Sequence, residues 1–370
     1  MKKLFILLFA ICYTLYAAPA ALAQSLPNKE IYMKAVIQKV VSESTTISDG
    51  GYTTITQTLR LKIQDPPDAG KVITLDQGSD ARLSALSKYA EGQTVVVDKT
   101  VGPDGSSHFV ISDTYRIPQL IFLVILFALA AIGIAGKKGL GAVVGLSISL
   151  LVIVVYIVPQ LLHGQDPLTT SIIGSCIILF ITTFLAHGFS KKTAIAVVST
   201  FLALFATYFL AILFVNLAHL TGLGTEDSYL LEIAPNVSIN PKGLLLGGII
   251  ISTLGALNDV TTTQVASIFA LFKANKEQTF LHLIEHGMNI GKEHIASLVN
   301  TLVLAYAGTS LPIFIFLVLN PNRLPLWVIL NTQQFGEEIV RTIAGSLGLM
   351  LSVPIATLLA AYLVPKILKR

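Results

Sequence analysis

Seven long apolar stretches limit what this chain can fold into more than any motif in it. They cover residues 118–135, 140–158, 168–186, 193–217, 243–260, 295–319 and 342–363, and only the fifth holds a charged residue, Asp259. A helix of about 20 apolar residues crosses the ~30 Å hydrocarbon layer of a bilayer, where every backbone polar group must be satisfied within the segment. Charged residues make up 12% of the chain, about half the share usual in soluble domains. The pattern predicts a polytopic α-helical membrane protein with about seven transmembrane helices, occupying residues 118–370.

The start of the chain reads differently. Met1-Lys2-Lys3 is followed by an apolar run from Leu4 to Tyr16, then by small residues ending in Ala21-Leu22-Ala23 before Gln24. A positive start, a short apolar run and an A-x-A pattern predict a signal peptide over 1–23; the run is short for an uncleaved span. Cleavage removes Cys12 and leaves Cys176 as the one remaining cysteine, so the mature chain forms no internal disulfide.

Residues 28–116 have the composition of a small exported domain. The clearest strand alternates Ile55, Gln57, Leu59, Leu61 and Ile63 on one face with Thr54, Thr56, Thr58, Arg60 and Lys62 on the other. Further strands are predicted at 32–42, 72–75, 94–97 and 109–111, with turns at Asp49-Gly50-Gly51 and Pro103-Asp104-Gly105. Ser79 or Asp80 can cap a short helix running to Ala90. Three strands, a helix and two strands match an OB-like β-barrel. The strands carry few aromatic residues for stacking bases, and a net charge of +4 is small for a nucleic-acid surface. No nucleic-acid partner is expected; contact with the membrane part or a protein partner is.

Loop charge orients the helices. With the first domain outside, one set of loops and the tail hold Lys137, Lys138, Lys191, Lys192, Lys273, Lys276, Lys292, Lys366, Lys369 and Arg370. The opposite loops hold Lys242, Arg323 and Arg341. Positive charge collects on the cytoplasmic side. A multi-pass protein of a bacterial cytoplasmic (inner) membrane follows, with an extracytoplasmic N-terminal domain and a cytoplasmic C terminus. Gly141 with Gly145, and Gly243 with Gly247, have the spacing of close helix packing. Self-association is compatible with these features.

Chemistry is best placed in the segment from Gly255 to Tyr306. Asp259 lies at the end of the fifth stretch, where an ionisable group is costly in lipid and is a functional candidate by default. Either the helix unwinds there and Asp259 binds a cation or carries a proton, or Asn258 and Asp259 cap a following helix over 260–272. Asn289, Glu293, Ala296, Asn300 and Ala307 recur at helical spacing beside Thr301. They predict a polar face directed at the fifth span, serving either a site or interhelical bonding. Asp259, Asn289, Asn300 and Thr301 are therefore the candidate ion- or substrate-binding residues, and Pro312 is a candidate kink.

His282-Leu283-Ile284-Glu285-His286 matches a zinc-binding pattern. It reads better as the solvated face of a surface helix with Phe280, Leu283, Ile284 and Gly287 on its apolar side, so no metal is assigned. Glu337, Glu338 and Arg341 read as an ordinary helix-surface group. Nucleotide-binding and nucleophile motifs are missing, so no catalytic residue, enzyme activity or cofactor is assigned.

Three stretches carry a family resemblance: Gly255-Ala256-Leu257-Asn258-Asp259-Val260, then Gly287-Met288-Asn289-Ile290-Gly291, then Asn300 to Gly308 with Leu311-Pro312. With these, and with a β domain ending in Tyr115-Arg116, the chain resembles the YibE/F family of bacterial membrane proteins. Asn258 and Thr261-Thr262-Thr263-Gln264 depart from the family's usual residues, which leaves Asp259 as the shared polar position. The resemblance implies the same architecture and a transport role. The leading expectation is a transporter or permease-like protein. The alternative is a non-catalytic membrane scaffold or accessory subunit whose exported domain binds a partner. The surroundings of Asp259 separate the two: a transporter needs it on a water-accessible cavity, a scaffold only as a cap.

Overall fold

The computed structural model describes residues 31–47, 53–77, 88–101, 106–235, 238–320 and 323–368. The expected signal peptide, the turns at 49–51 and 103–105, and most of the helix expected before Ala90 lie outside these residues. The chain divides near Leu129 into a strand-rich unit and a helical unit.

The strand-rich unit is a five-stranded antiparallel sheet of β1 (Ile31–Ile47), β2 (Thr53–Ile63), β3 (Val72–Gln77), β4 (Thr94–Val101) and β5 (Ser107–Thr114), in the order β3-β2-β1-β4-β5. β1 is 17 residues long. It pairs with β4 through its first part and with β2 through most of its length, and its register shifts between Ile37 and Lys39 and again between Val40 and Ser42. Such bulges bend a strand and increase its twist. The sheet curls until its two edge strands, β3 and β5, approach one another.

The expected alternation is visible. Leu59, Leu61 and Ile63 are buried together with Met33, Ala35, Ile37, Val95, Val97 and Ile111. Gln57 sits on the same buried face because Tyr89 satisfies it: the Tyr89 N–H donates to Gln57 Oε1 at 2.8 Å, and Gln57 Nε2 donates to the Tyr89 carbonyl at 3.2 Å. Burying an amide without such partners is costly.

The helical unit opens within α1 (Ile117–Val152), which runs on through a π-helical turn at Ile153–Ile157 into α2 (Val158–Leu162). It continues with α3 (Pro167–His187), α4 (Lys191–Leu217), α5 (Glu226–Ile233), α6 (Pro241–Ala274), α7 (Phe280–Thr309), α8 (Leu311–Leu319), α9 (Leu326–Leu330) and α10 (Gln333–Leu368). Asp166, Ser190, Asn240 and Thr279 each accept from the backbone N–H three residues on, capping α3, α4, α6 and α7.

Among the described residues, five helical stretches are long and apolar enough to cross a membrane, or six if the α7–α8 pair is one bent span. The expected count of seven differs because the first stretch is a single helical run from Ile117 to Leu162. That run is not straight. Gly136 has φ 58° and ψ −130°, outside any helix. The chain returns so closely that a Cβ on Gly139 would collide with the Ala131 carbonyl. Residues eight apart in an unbroken helix lie about 12 Å apart along the axis. The break falls between the two stretches expected at 118–135 and 140–158.

Other boundaries shift. α7 begins at Phe280, so the surface helix expected there and the sixth span are one 30-residue helix. It bends by 66° into α8 next to Pro312, as the missing proline N–H allows. α10 starts at Gln333, taking Glu337, Glu338 and Arg341 into the helix. It packs against α4, α6 and α7.

Small residues set these crossings. Gly348 faces Thr207 of α4, Gly345 faces Thr253 of α6, and Gly291 of α7 faces Val353 of α10. Both predicted glycine pairs meet the same helix: Gly141 and Gly145 rest on Leu185 and Thr182 of α3, and Gly243 and Gly247 on Pro167 and Ser171. Without water to drive association, close backbone approach is what holds such helices together.

Candidate functional site

Asp259 lies in the interior of α6, which runs unbroken from Pro241 to Ala274. Neither expected backbone setting is found: the helix does not unwind at Asp259, and no new helix starts after it. The polar residues around it divide by face. Asn258 Oδ1 accepts from the Thr183 hydroxyl of α3 at 2.8 Å. Thr261 bonds to Thr200 of α4. Gln264, fully buried, donates from Nε2 to the Gly287 carbonyl of α7 and to Thr357 Oγ1 of α10, both at 2.7 Å. This stretch is a polar seam that ties α6 to four other helices.

Asp259 stays out of that seam. It is exposed into an open cavity of about 720 Å³ between α1, α3 and α6. Lys138, His187 and Asn258 line the same end of the cavity; Gly141, Gly145, Ser149 and Thr182 line its walls. Among the described residues the Asp259 carboxylate has no hydrogen-bond or ion-pair partner, while His187 is close enough to act on it electrostatically. On α6 the lining extends from Asp259 back to Ile251, which at 1.5 Å per residue is about 12 Å along the axis. A carboxylate, an imidazole and an ammonium around one cavity can hold a cation or pass a proton.

The structure does not bring the four predicted residues together. The stripe of α7 that packs inward runs through Leu283, Gly287, Gly291, Leu298, Leu302 and Tyr306. Asn289 follows Gly287 and Asn300 follows Leu298 by two residues, about 200° around the helix, and both are exposed. The Thr301 hydroxyl donates to the Ser297 carbonyl of its own helix at 3.0 Å. None of the three lines the cavity at Asp259. Glycine rather than amide marks the inward face, because at Gly287 and Gly291 a side chain would collide with Ile268 and Val353.

Two residues escaped sequence reasoning. His187 ends α3 just before Gly188 (φ 74°); its place opposite Asp259 depends on how α3 crosses α6. Glu337, expected on a helix surface, is only 3% exposed. Arg341 pairs with Glu338 at 3.1 Å instead, and Glu337 accepts from the Gly224 N–H at 2.9 Å. It anchors the loop before α5. The Gly222-Leu223-Gly224 spacing, which lets the loop come this close, is the one signal the sequence offered.

His282 and His286 are exposed on the first turns of α7. Among the described residues no group of three or more His, Cys, Asp or Glu side chains could hold a metal ion.

The family described as YibE/F-like protein matches residues 123–366, which takes in the helical unit and leaves the sheet outside. No curated protein and no solved structure matches the chain.

Proposed function

The chain belongs to the YibE/F-like family, and on that premise we propose that it is a transporter or permease-like protein of a bacterial cytoplasmic membrane. In this reading the break at Gly136 separates two spans and the bent α7–α8 pair forms another. Seven crossings then put the sheet outside and the C terminus in the cytoplasm, in agreement with the loop lysines. The sheet is an OB-like barrel: the order β3-β2-β1-β4-β5, with β3 near β5, is the connectivity such a barrel has. It serves as a contact surface for the membrane part or a protein partner, and no catalytic step is assigned to the chain.

One observation carries the transport reading: Asp259 faces a cavity rather than a neighbouring helix. It lies 18 residues into α6, about 27 Å along the axis, close to the inner edge of a ~30 Å core. The cavity leads from there toward the midplane, so a cation or proton entering from the cytoplasm meets Asp259 and His187 first. Asn289, Asn300 and Thr301 lie on a different face and have no part in it.

The test is flux. Full-length protein in proteoliposomes, with a pH-sensitive dye inside and imposed proton, sodium or potassium gradients, should move ions. Asp259→Asn preserves shape and should abolish that movement while the protein still inserts and folds. Asn289→Ala with Asn300→Ala should leave it intact. Flux unchanged in Asp259→Asn, or none under any gradient, would overturn the proposal in favour of the scaffold.

A further inference from the structure

A second cavity, of about 500 Å³, opens between the start of α4, the end of α6 and the end of α10. Lys191, Lys192 and Lys273 line it, and Phe269, Ile367 and Leu368 form its apolar side. Among the described residues none of the three lysines makes an ion pair or hydrogen bond to a carboxylate. Three lysines from two helices thus line one hollow, and no Asp or Glu is among the described residues that line it. The first-turn N–H groups of α4 add positive potential at the same place. Its volume is within the range of small-ligand pockets, about 300–1,000 Å³.

We propose that this cavity binds the headgroup of an anionic phospholipid. The chemistry required is a phosphate near three cations with an apolar chain beside it. A lipid supplies both, whereas a soluble phosphate supplies only the first. The location fits: with the lysine-rich loops in the cytoplasm, the cavity opens at the leaflet boundary where anionic headgroups meet basic pockets between helices. The lipid neutralises the lysines and joins α4, α6 and α10 at their shared end. This inference rests on the membrane reading, but not on transport.

Full-length protein, purified and delipidated in detergent, should be titrated with phosphatidylglycerol and with phosphatidylcholine and followed by native mass spectrometry. One phosphatidylglycerol should bind in preference to phosphatidylcholine. Lys191→Gln/Lys192→Gln/Lys273→Gln should weaken that binding about tenfold or more. Lys137→Gln/Lys276→Gln, which removes like charge outside the cavity, should change it little. Equal binding of both lipids, undiminished binding by the triple variant, equal loss in the control variant, or displacement of the lipid by inorganic phosphate would each overturn the proposal. Carbonate extraction of wild type from membranes separates this failure from failure of the membrane reading itself.

Discussion

Asp259 and Glu337 are both carboxylates within long apolar helices, and the fold treats them in opposite ways. Glu337 is buried and bonded to a loop N–H; Asp259 has no partner among the described residues and lies beside a cavity. A carboxylate removed from water needs donors, which the loop N–H supplies to Glu337, whereas Asp259 is exposed to its cavity and meets no such demand from the protein. In the turn between β2 and β3 a third carboxylate shows how charge governs stability. Lys99 reaches Asp68 at 2.6 Å and holds its carboxyl below the usual carboxylate range; slight burial opposes this, and Lys71 reinforces it. The stability such a group contributes is present above its unfolded pKa of about 3.9 and is lost as pH falls through its lowered folded value. Lys99→Met should therefore weaken hydrogen-exchange protection of β4 and β5 at pH 7, and the gap from wild type should close below about pH 4. A gap of the same size at pH 7 and pH 3 would show that Lys99 acts through packing over the Phe109 ring instead.

At the scale of elements, strands and helices were legible because their periodicities are local. Burial at Leu59, Leu61 and Ile63 follows from alternation alone, and the stretches expected at 168–186 and 193–217 became helices near those bounds, whereas the helices of the last three stretches extend well beyond theirs. The facing of α7 was not legible. An amide stripe and a glycine stripe were both present, and only the close approach of α6 and α10 decides which turns inward. Gly291 carries that approach against Val353. Gly291→Ala should destabilise the bundle by about 1–3 kcal/mol through overpacking. Val353→Ala alone should also destabilise it, by leaving a cavity. The double variant should recover part of the loss, with a coupling of about 1 kcal/mol or more between the two sites, read from thermal unfolding in detergent. Additive losses would mean that α7 and α10 do not share this contact.

At the scale of the whole molecule, the orientation can be tested without knowing any substrate. In a Cys176→Ala background, cysteines introduced one at a time at Asp104 and Arg370 should be labelled from opposite faces of intact spheroplasts and inverted vesicles. Labelling from one face would reduce the crossings to an even number and refute either the division of the first stretch at Gly136 or the α7–α8 pair as a span. What the sequence determined by itself is everything that depends on near neighbours or on summed composition: where the helices and strands lie, which ends are basic, and that one acidic residue sits inside an apolar run. Tertiary structure decided what Asp259 faces, which polar residues became interhelical bonds, and which three lysines line one cavity. Those outcomes join residues such as His187 and Asp259, or Lys192 and Lys273, that lie more than seventy positions apart. Helix crossing angles and glycine contacts bring them together, and a periodic pattern along one helix does not encode which neighbour its faces will meet.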